Sequence, residues 1–126
     1  MSNGQRILIV EDDVTTARVV ASHLCQLYTV CIATCGLDAL QLLEQQPDLL
    51  LLDLGLPDMS GLELLRRIKT QSAMGTLPIL VMSADGEPAK IAEVLAAGAM
   101  DYLVKPLSAE VLTGSVQRAL DAPRRA

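Results

Sequence analysis

The sequence predicts an α/β protein built on one five-stranded parallel sheet, doubly wound with helices on both faces, and three observations predict it. Five short apolar runs alternate with five stretches of helical periodicity, without an internal repeat or a linker between them. Leu49 to Leu52 are four leucines in a row. Such a run cannot alternate between core and solvent, so it reads as a strand buried on both faces, as in a parallel sheet covered by helices. Four of the runs end in residues that carry chemistry: Glu11-Asp12, Asp53, Ser83 and Lys105. Residues so far apart converge only if the strands are parallel and their carboxyl ends share one edge, where open α/β sheets place their ligands.

Taken in order, Arg6 to Val10 is a short β-branched run closed by Glu11-Asp12-Asp13, which gives the first strand. Ala17, Val20, Ala21 and Leu24 then recur at i, i+3, i+4 and i+7, the stripe of a helix lying on a sheet. Thr29 to Ala33 is a second, less apolar strand, expected at an edge. Gly36 opens a helix with Leu37, Leu40 and Leu43 facing inward, and Pro47 ends it. The third strand ends at Asp53, after which the chain turns through Pro57 and Gly61. Ser60 and Glu63 form a Ser-x-x-Glu capping box for the next helix, whose inner face is Gly61, Leu64, Leu65 and Ile68. Gly75 to Pro78 form the loop out of that helix, and Pro78 to Ser83 is a fourth buried strand.

Asp85-Gly86-Glu87-Pro88 starts a fourth helix with Pro in its first turn, Ile91, Val94 and Leu95 inside, and Gly98 at its end. Met100 to Val104 is the fifth strand. It finishes at Lys105-Pro106, and Ser108 caps a last helix carrying Leu112, Val116 and Leu120. The 126 residues read as one domain with a core from about 6 to 120, and residues 121–126 as a tail or the start of a linker.

Composition narrows the function. Phe and Trp are absent and Tyr28 and Tyr102 are the two aromatics, so the core is aliphatic and stacking on a base or flavin ring is poorly supported. A formal net charge of -5 argues against direct nucleic-acid binding, which depends on neutralising phosphates with Lys and Arg. Cys25, Cys31 and Cys35 are an odd set with no C-x-x-C pair, expected as buried thiols in a reducing compartment. His23 and Cys25, two apart on a helix, read as a surface His and a core Cys and not as metal ligands. Neither a signal peptide nor a membrane span is expected, which makes the cytoplasm the predicted compartment.

The residues gathered at the sheet edge describe a chemistry. Glu11, Asp12 and Asp53 crowd three carboxylates together, and such a cluster either takes up a proton or holds a cation. Mg²⁺ suits a site with few carboxylates and several waters, shared with phosphate oxygens. Lys105 and Ser83 supply a positive charge and a hydroxyl for anionic oxygens, so the set reads as a phosphoryl-transfer site. No Gly-rich phosphate loop accompanies it, which directs the phosphoryl group to the protein itself, with Asp53 as candidate nucleophile. A helix cap is the other role open to Asp53, and Ser60 fills it better. Asp13 reads as a solvated or capping acid, and Arg66, Arg67 and Lys69 as the outer face of a helix.

Glu11-Asp12, Asp53 followed by Pro57 and Gly61, Ser83-Ala84 and Lys105-Pro106 appear in that order at spacings of 83 − 53 = 30 and 105 − 53 = 52. In these motifs, from about Arg6 to Leu120, the chain resembles the receiver (phosphoacceptor) domain of two-component response regulators. The resemblance implies the flavodoxin-like strand order 2-1-3-4-5, which the residues alone do not dictate. It implies that Asp53 accepts a phosphoryl group from a phosphohistidine of a sensor histidine kinase or histidine phosphotransfer protein. Mg²⁺ would be held by Glu11, Asp12, Asp53 and the Gly55 backbone carbonyl, with Lys105 pairing the phosphoryl oxygens. Ser83, where many members have Thr, and Tyr102 would be the switch pair, acting on the surface of the fourth helix, fifth strand and fifth helix. That surface would meet an output domain or a second copy. Such a domain is not an enzyme but a phosphoacceptor that assists its own phosphorylation and dephosphorylation.

Three other readings compete. An aspartate-nucleophile phosphohydrolase needs a second acid two residues after the nucleophile, where this chain has Gly55. A flavodoxin-type carrier needs a hydroxyl- and Gly-rich loop after the first strand, where Glu11-Asp12-Asp13 stand. A receiver-like interaction module acting without phosphorylation keeps every residue above and stays open as the alternative.

Overall fold

The computed structural model describes residues 4–71 and 75–123. Five strands, β1 (Arg6–Val10), β2 (Thr29–Ala33), β3 (Leu49–Asp53), β4 (Ile79–Ser83) and β5 (Asp101–Val104), alternate with α1 (Val14–Leu24), α2 (Gly36–Leu42), α3 (Gly61–Thr70), α4 (Pro88–Ala96) and α5 (Ala109–Asp121). A short 3-10 turn, Leu43–Gln45, extends α2. All pairings are parallel and the order is β2-β1-β3-β4-β5, so the expected doubly wound sheet is the one observed. The less apolar β2 lies at an edge, as its composition predicts.

Parallel pairing explains the leucine run. Leu50 and Leu52 face a cluster with Leu8, Val10, Ile79 and Val81 under Ala39, Leu43, Leu64, Leu65, Ile68 and Val94 of α2, its extension, α3 and α4. Leu49 and Leu51 face the opposite side, with Ile7, Ile9, Leu80 and Met82 under Val20 and Leu24 of α1 and Leu112 and Val116 of α5. Both faces of β3 are therefore dry, and every one of its residues is buried.

Several helix starts follow the sequence rules. Ser60 Oγ accepts from the Glu63 N–H at 3.0 Å, Ser108 Oγ from the Val111 N–H at 3.1 Å, and Asp13 from the Thr15 N–H and the Thr16 hydroxyl. Pro88 opens α4, and Gly98, at φ +118°, ends its C-terminal turn.

Three expectations are corrected. Leu37 is 63% exposed, because the buried stripe of α2 is Gly36, Ala39 and Leu43 with Leu40 beside it, and Leu37 lies one residue, about 100°, off that stripe. Leu95 is likewise turned to solvent, and the buried anchor of α4 is Val94. The thiols are not in the core: Cys25 follows the last turn of α1 and Cys31 lies on edge strand β2, both exposed, while Cys35 is half-buried. An edge strand with one partner leaves alternate side chains without a covering helix, which sequence composition does not reveal. Of the expected tail, residues 124–126 lie outside the described residues.

Candidate functional site

The carboxyl ends of β1, β3, β4 and β5 deliver the site. Glu11 follows β1 directly, and its N–H donates to the Ala33 carbonyl at 2.9 Å, which fixes the backbone where the strand ends. Its side chain is 1% exposed. Asp53 closes β3 in register with Met82 of β4, and it too is buried. Asp12 is exposed beside them. Carboxylate oxygens of Glu11, Asp12 and Asp53 lie within 4.8 Å of one another.

Lys105 enters this cluster from the end of β5. Its Nζ donates to Glu11 Oε1 at 2.8 Å and to Asp53 Oδ1 at 3.3 Å, bridging residues 94 and 52 positions away. The backbone sets its direction: the Lys105 N–H donates to the Ser83 carbonyl at 2.8 Å. Burial, aided by a hydrogen bond with Asp53, pushes Glu11 up to about 7, while Lys105 pulls against that rise. Burial alone would lower the Lys105 ammonium, but its hydrogen bond to Glu11 and the charge of Asp53 outweigh it and hold it above its ordinary range.

These donors fit a hard divalent cation. Three carboxylates that each offer one oxygen to a common space, one open to solvent, suit an ion that keeps several waters. Gly55 lies alongside: a Cβ built on it would meet Asp53 Oδ2 at 3.8 Å and no other atom within 4 Å, so the backbone stands open next to the acid.

Ser83 and Tyr102 sit behind the crevice. Ser83 is buried, and its Oγ accepts from the Asp85 N–H at 3.1 Å. Tyr102 is buried with its hydroxyl donating to the Asp85 carbonyl at 2.5 Å. The two side chains thus grip the same residue of the β4–α4 loop. The Asp85 carboxylate itself accepts from the Glu87 N–H at 3.0 Å. Every predicted site residue, Glu11, Asp12, Asp53, Gly55, Ser83, Tyr102 and Lys105, is therefore on or behind one sheet edge.

One residue escaped sequence reasoning. Asp58, in the β3–α3 loop, accepts from the N–H groups of Gly36 and Leu37, and these bonds hold its carboxyl below the usual range. An acid after Pro57 signals a turn. Its partners lie 22 and 21 residues away, so no local pattern names them.

Fold and site together define the class, a doubly wound parallel α/β domain with an acidic, lysine-bridged crevice able to hold a cation at its carboxyl edge. Within that class the chain belongs to the response regulator receiver domain family, whose pattern matches residues 7–117. It is 37% identical to the regulatory protein LuxO of Vibrio cholerae over 89% of this chain and 25% of that protein. It is 36% identical to the transcriptional regulatory protein AfsQ1 of Streptomyces coelicolor over 90% of this chain and 50% of that one. The chain thus spans half or less of the length of these relatives. Among solved structures it is similar to the chemotaxis response regulator CheY4 of Vibrio cholerae, with a TM-score of 0.87, 30% identity and coverage of 93% and 99% of the two chains. It is also similar to the receiver domain of a signal transduction histidine kinase from Syntrophus aciditrophicus, with a TM-score of 0.88, 31% identity and coverage of 98% and 95%. It is a receiver domain of two-component response regulators, a signalling domain. Among the described residues no helix is long and apolar enough to cross a membrane.

Proposed function

We propose that Asp53 is the phosphoacceptor of a cytoplasmic two-component pathway, within a single receiver domain spanning the chain. One observation carries this reading: the buried Asp53 carboxylate lies in a shared space with Glu11 and Asp12 and in contact with the Lys105 ammonium. A phosphohistidine of a sensor kinase or phosphotransfer protein is the donor. Its N–P bond breaks as a bond forms between phosphorus and an Asp53 carboxylate oxygen, and the imidazole leaves with a proton from solvent. Glu11, Asp12, Asp53 and the Gly55 carbonyl are the residues that would hold Mg²⁺, which supplies positive charge against the phosphoryl oxygens. Lys105 is drawn from Glu11 towards those oxygens, and the buried positions of Glu11 and Asp53 keep its charge focused. A groove of about 430 Å³, walled by Val19, Val20, His23 and Leu112, reaches Lys105 and gives the donor protein an apolar footing beside the acceptor.

The signal leaves through Asp85. When the Ser83 hydroxyl turns to a phosphoryl oxygen it releases the Asp85 N–H, and Tyr102, bonded to the carbonyl of the same residue, carries the change to α4, β5 and α5. That surface meets an output domain or a second copy.

Mixing the protein with Mg²⁺ and acetyl phosphate tests the acceptor. Intact-mass measurement should show one added phosphoryl group, labile in alkali, and Asp53→Asn should gain none while keeping the wild-type circular dichroism. Phosphate retained by Asp53→Asn would sink the assignment, and a wild type that gains none would favour an interaction module that works unphosphorylated.

A further inference from the structure

The β3–α3 loop, from Leu54 to Ser60, carries the Gly55 carbonyl; its apolar side chains Leu54, Leu56 and Met59 pack on the core, and the residues between them do not. Gly55, Pro57 and Asp58 are exposed, and the space beside Gly55 holds only the Asp53 carboxylate. Hydrogen bonds add to that packing. The Gly61 N–H donates back to the Leu54 carbonyl at 2.9 Å and closes the loop at its base. From the loop itself Asp58 reaches out to another element, Oδ1 accepting from the Gly36 N–H at 2.7 Å and Oδ2 from the Leu37 N–H at 3.0 Å. The Met59 side chain lies on Gly36 so closely that a Cβ there would fall 2.6 Å from its Cγ. The first turn of α2 needs such a partner, because its N-cap residue Cys35 makes no capping bond of its own. One carboxylate therefore does two jobs: it caps α2 and moors the loop.

We propose that Asp58 is a positioning residue for the acceptor site, fixing the β3–α3 loop against α2 so that the Gly55 carbonyl stays in place beside Asp53. This rests on the reading of Gly55 as a cation ligand given above. Without the Asp58 bonds the loop would be held by the Gly61–Leu54 bond and by the packing of Leu56 and Met59, so exposed Gly55, Pro57 and Asp58 would sample more backbone states, and the cation would have to order them on binding.

The two jobs can be separated. Asp58→Ala removes both. Adding Cys35→Ser or Cys35→Asp, whichever restores the amide-exchange protection of α2, returns a local cap without reconnecting the loop. Mg²⁺ affinity is read by NMR titration well below the melting temperature of each protein, with amide exchange of residues 54–59 followed in the metal-free state. In the recapped double variant the loop amides should still exchange faster than in the wild type, and Mg²⁺ should bind about tenfold or more weakly. Wild-type affinity in either variant would overturn the proposal, leaving Asp58 a cap and nothing more. A wild type that shows no Mg²⁺-dependent shift at Asp53 and Gly55 would overturn the site reading along with it.

Discussion

Glu11 is the most buried acid among the described residues, and its protonation is coupled to the folding of the metal-free domain. Its pKa rises from 4.5 to about 7 on folding. The folded protein then binds more protons than the unfolded chain between those values, so the stabilisation is fully present below pH 4.5 and is lost as pH rises through 7. Urea unfolding without Mg²⁺ should therefore show stability falling over that window, by no more than about 1.4 kcal/mol per pH unit. Glu11→Gln, which cannot ionise, should flatten the fall. A wild type whose stability rises across the window would mean that Lys105 governs Glu11 more strongly than burial does. Asp53→Asn relieves one like charge against Glu11 while leaving the Lys105–Glu11 bond at 2.8 Å, so it should melt no lower than the wild type in calorimetry.

Between elements, the decisive contacts are backbone approaches and shared hydrogen bonds. The first residue of α3, Gly61, lies against the loop that leaves Asp53. A Cβ there would stand 2.5 Å from Leu54 Cα and 2.8 Å from the Asp53 carbonyl oxygen, and backbone cannot yield as a side chain can. Gly61→Ala should cost about 1–3 kcal/mol by overpacking. It should also weaken Mg²⁺ binding, since what moves to make room is the acid's own loop. Denaturant unfolding and a metal titration of the same variant measure both. Ser83 and Tyr102 hold Asp85 by its N–H and its carbonyl. Ser83→Ala removes the first of these and a charge-assisted bond to any phosphoryl oxygen, worth about 1.5–3 kcal/mol. The variant should still take the phosphoryl mimic beryllofluoride, but NMR shifts of Tyr102 and of Ile91 to Leu95 should no longer change as in the wild type. Equal shifts at saturation would reduce Ser83 to a packing residue.

Over the whole molecule, the sheet divides the core into two aliphatic clusters, and the acidic crevice lies where both end. Three carboxylates held together by that rigid frame share one ammonium, Lys105, so they still favour a further cation, whereas the unfolded chain separates them freely. Mg²⁺ binds the folded form and so must stabilise it, by about 2.7 kcal/mol at a hundred times its dissociation constant. The melting temperature should rise with millimolar Mg²⁺. Asp12→Ala removes the solvent-facing carboxylate and should abolish the rise, while leaving the buried clusters intact; an unchanged response would place the ion elsewhere.

Local patterns along the chain were enough to set the elements and to single out most of the residues that gather at the sheet edge. The four-leucine run required burial on both faces, the Ser60–Glu63 spacing dictated a helix start, and chemistry at the ends of four strands required a common edge, because these signals are local and periodic. What they could not determine was everything decided by the position of a partner far along the chain. Leu37 and Leu95 fit a helical stripe on paper, and the sheet's placement under the helix chose a neighbouring stripe. Cys25 and Cys31 look like core residues in the sequence, and only the packing shows Cys25 turned out past the end of α1 and Cys31 on a face of edge strand β2 left open to solvent. Lys105 was legible as a cation for phosphoryl oxygens, whereas its bond to Glu11 depends on β1 and β5 ending at the same level of one sheet. Asp58 was invisible for the same reason: a carboxylate in a turn resembles any solvated acid, and only tertiary structure brings the N-terminus of α2 within 3.0 Å of it.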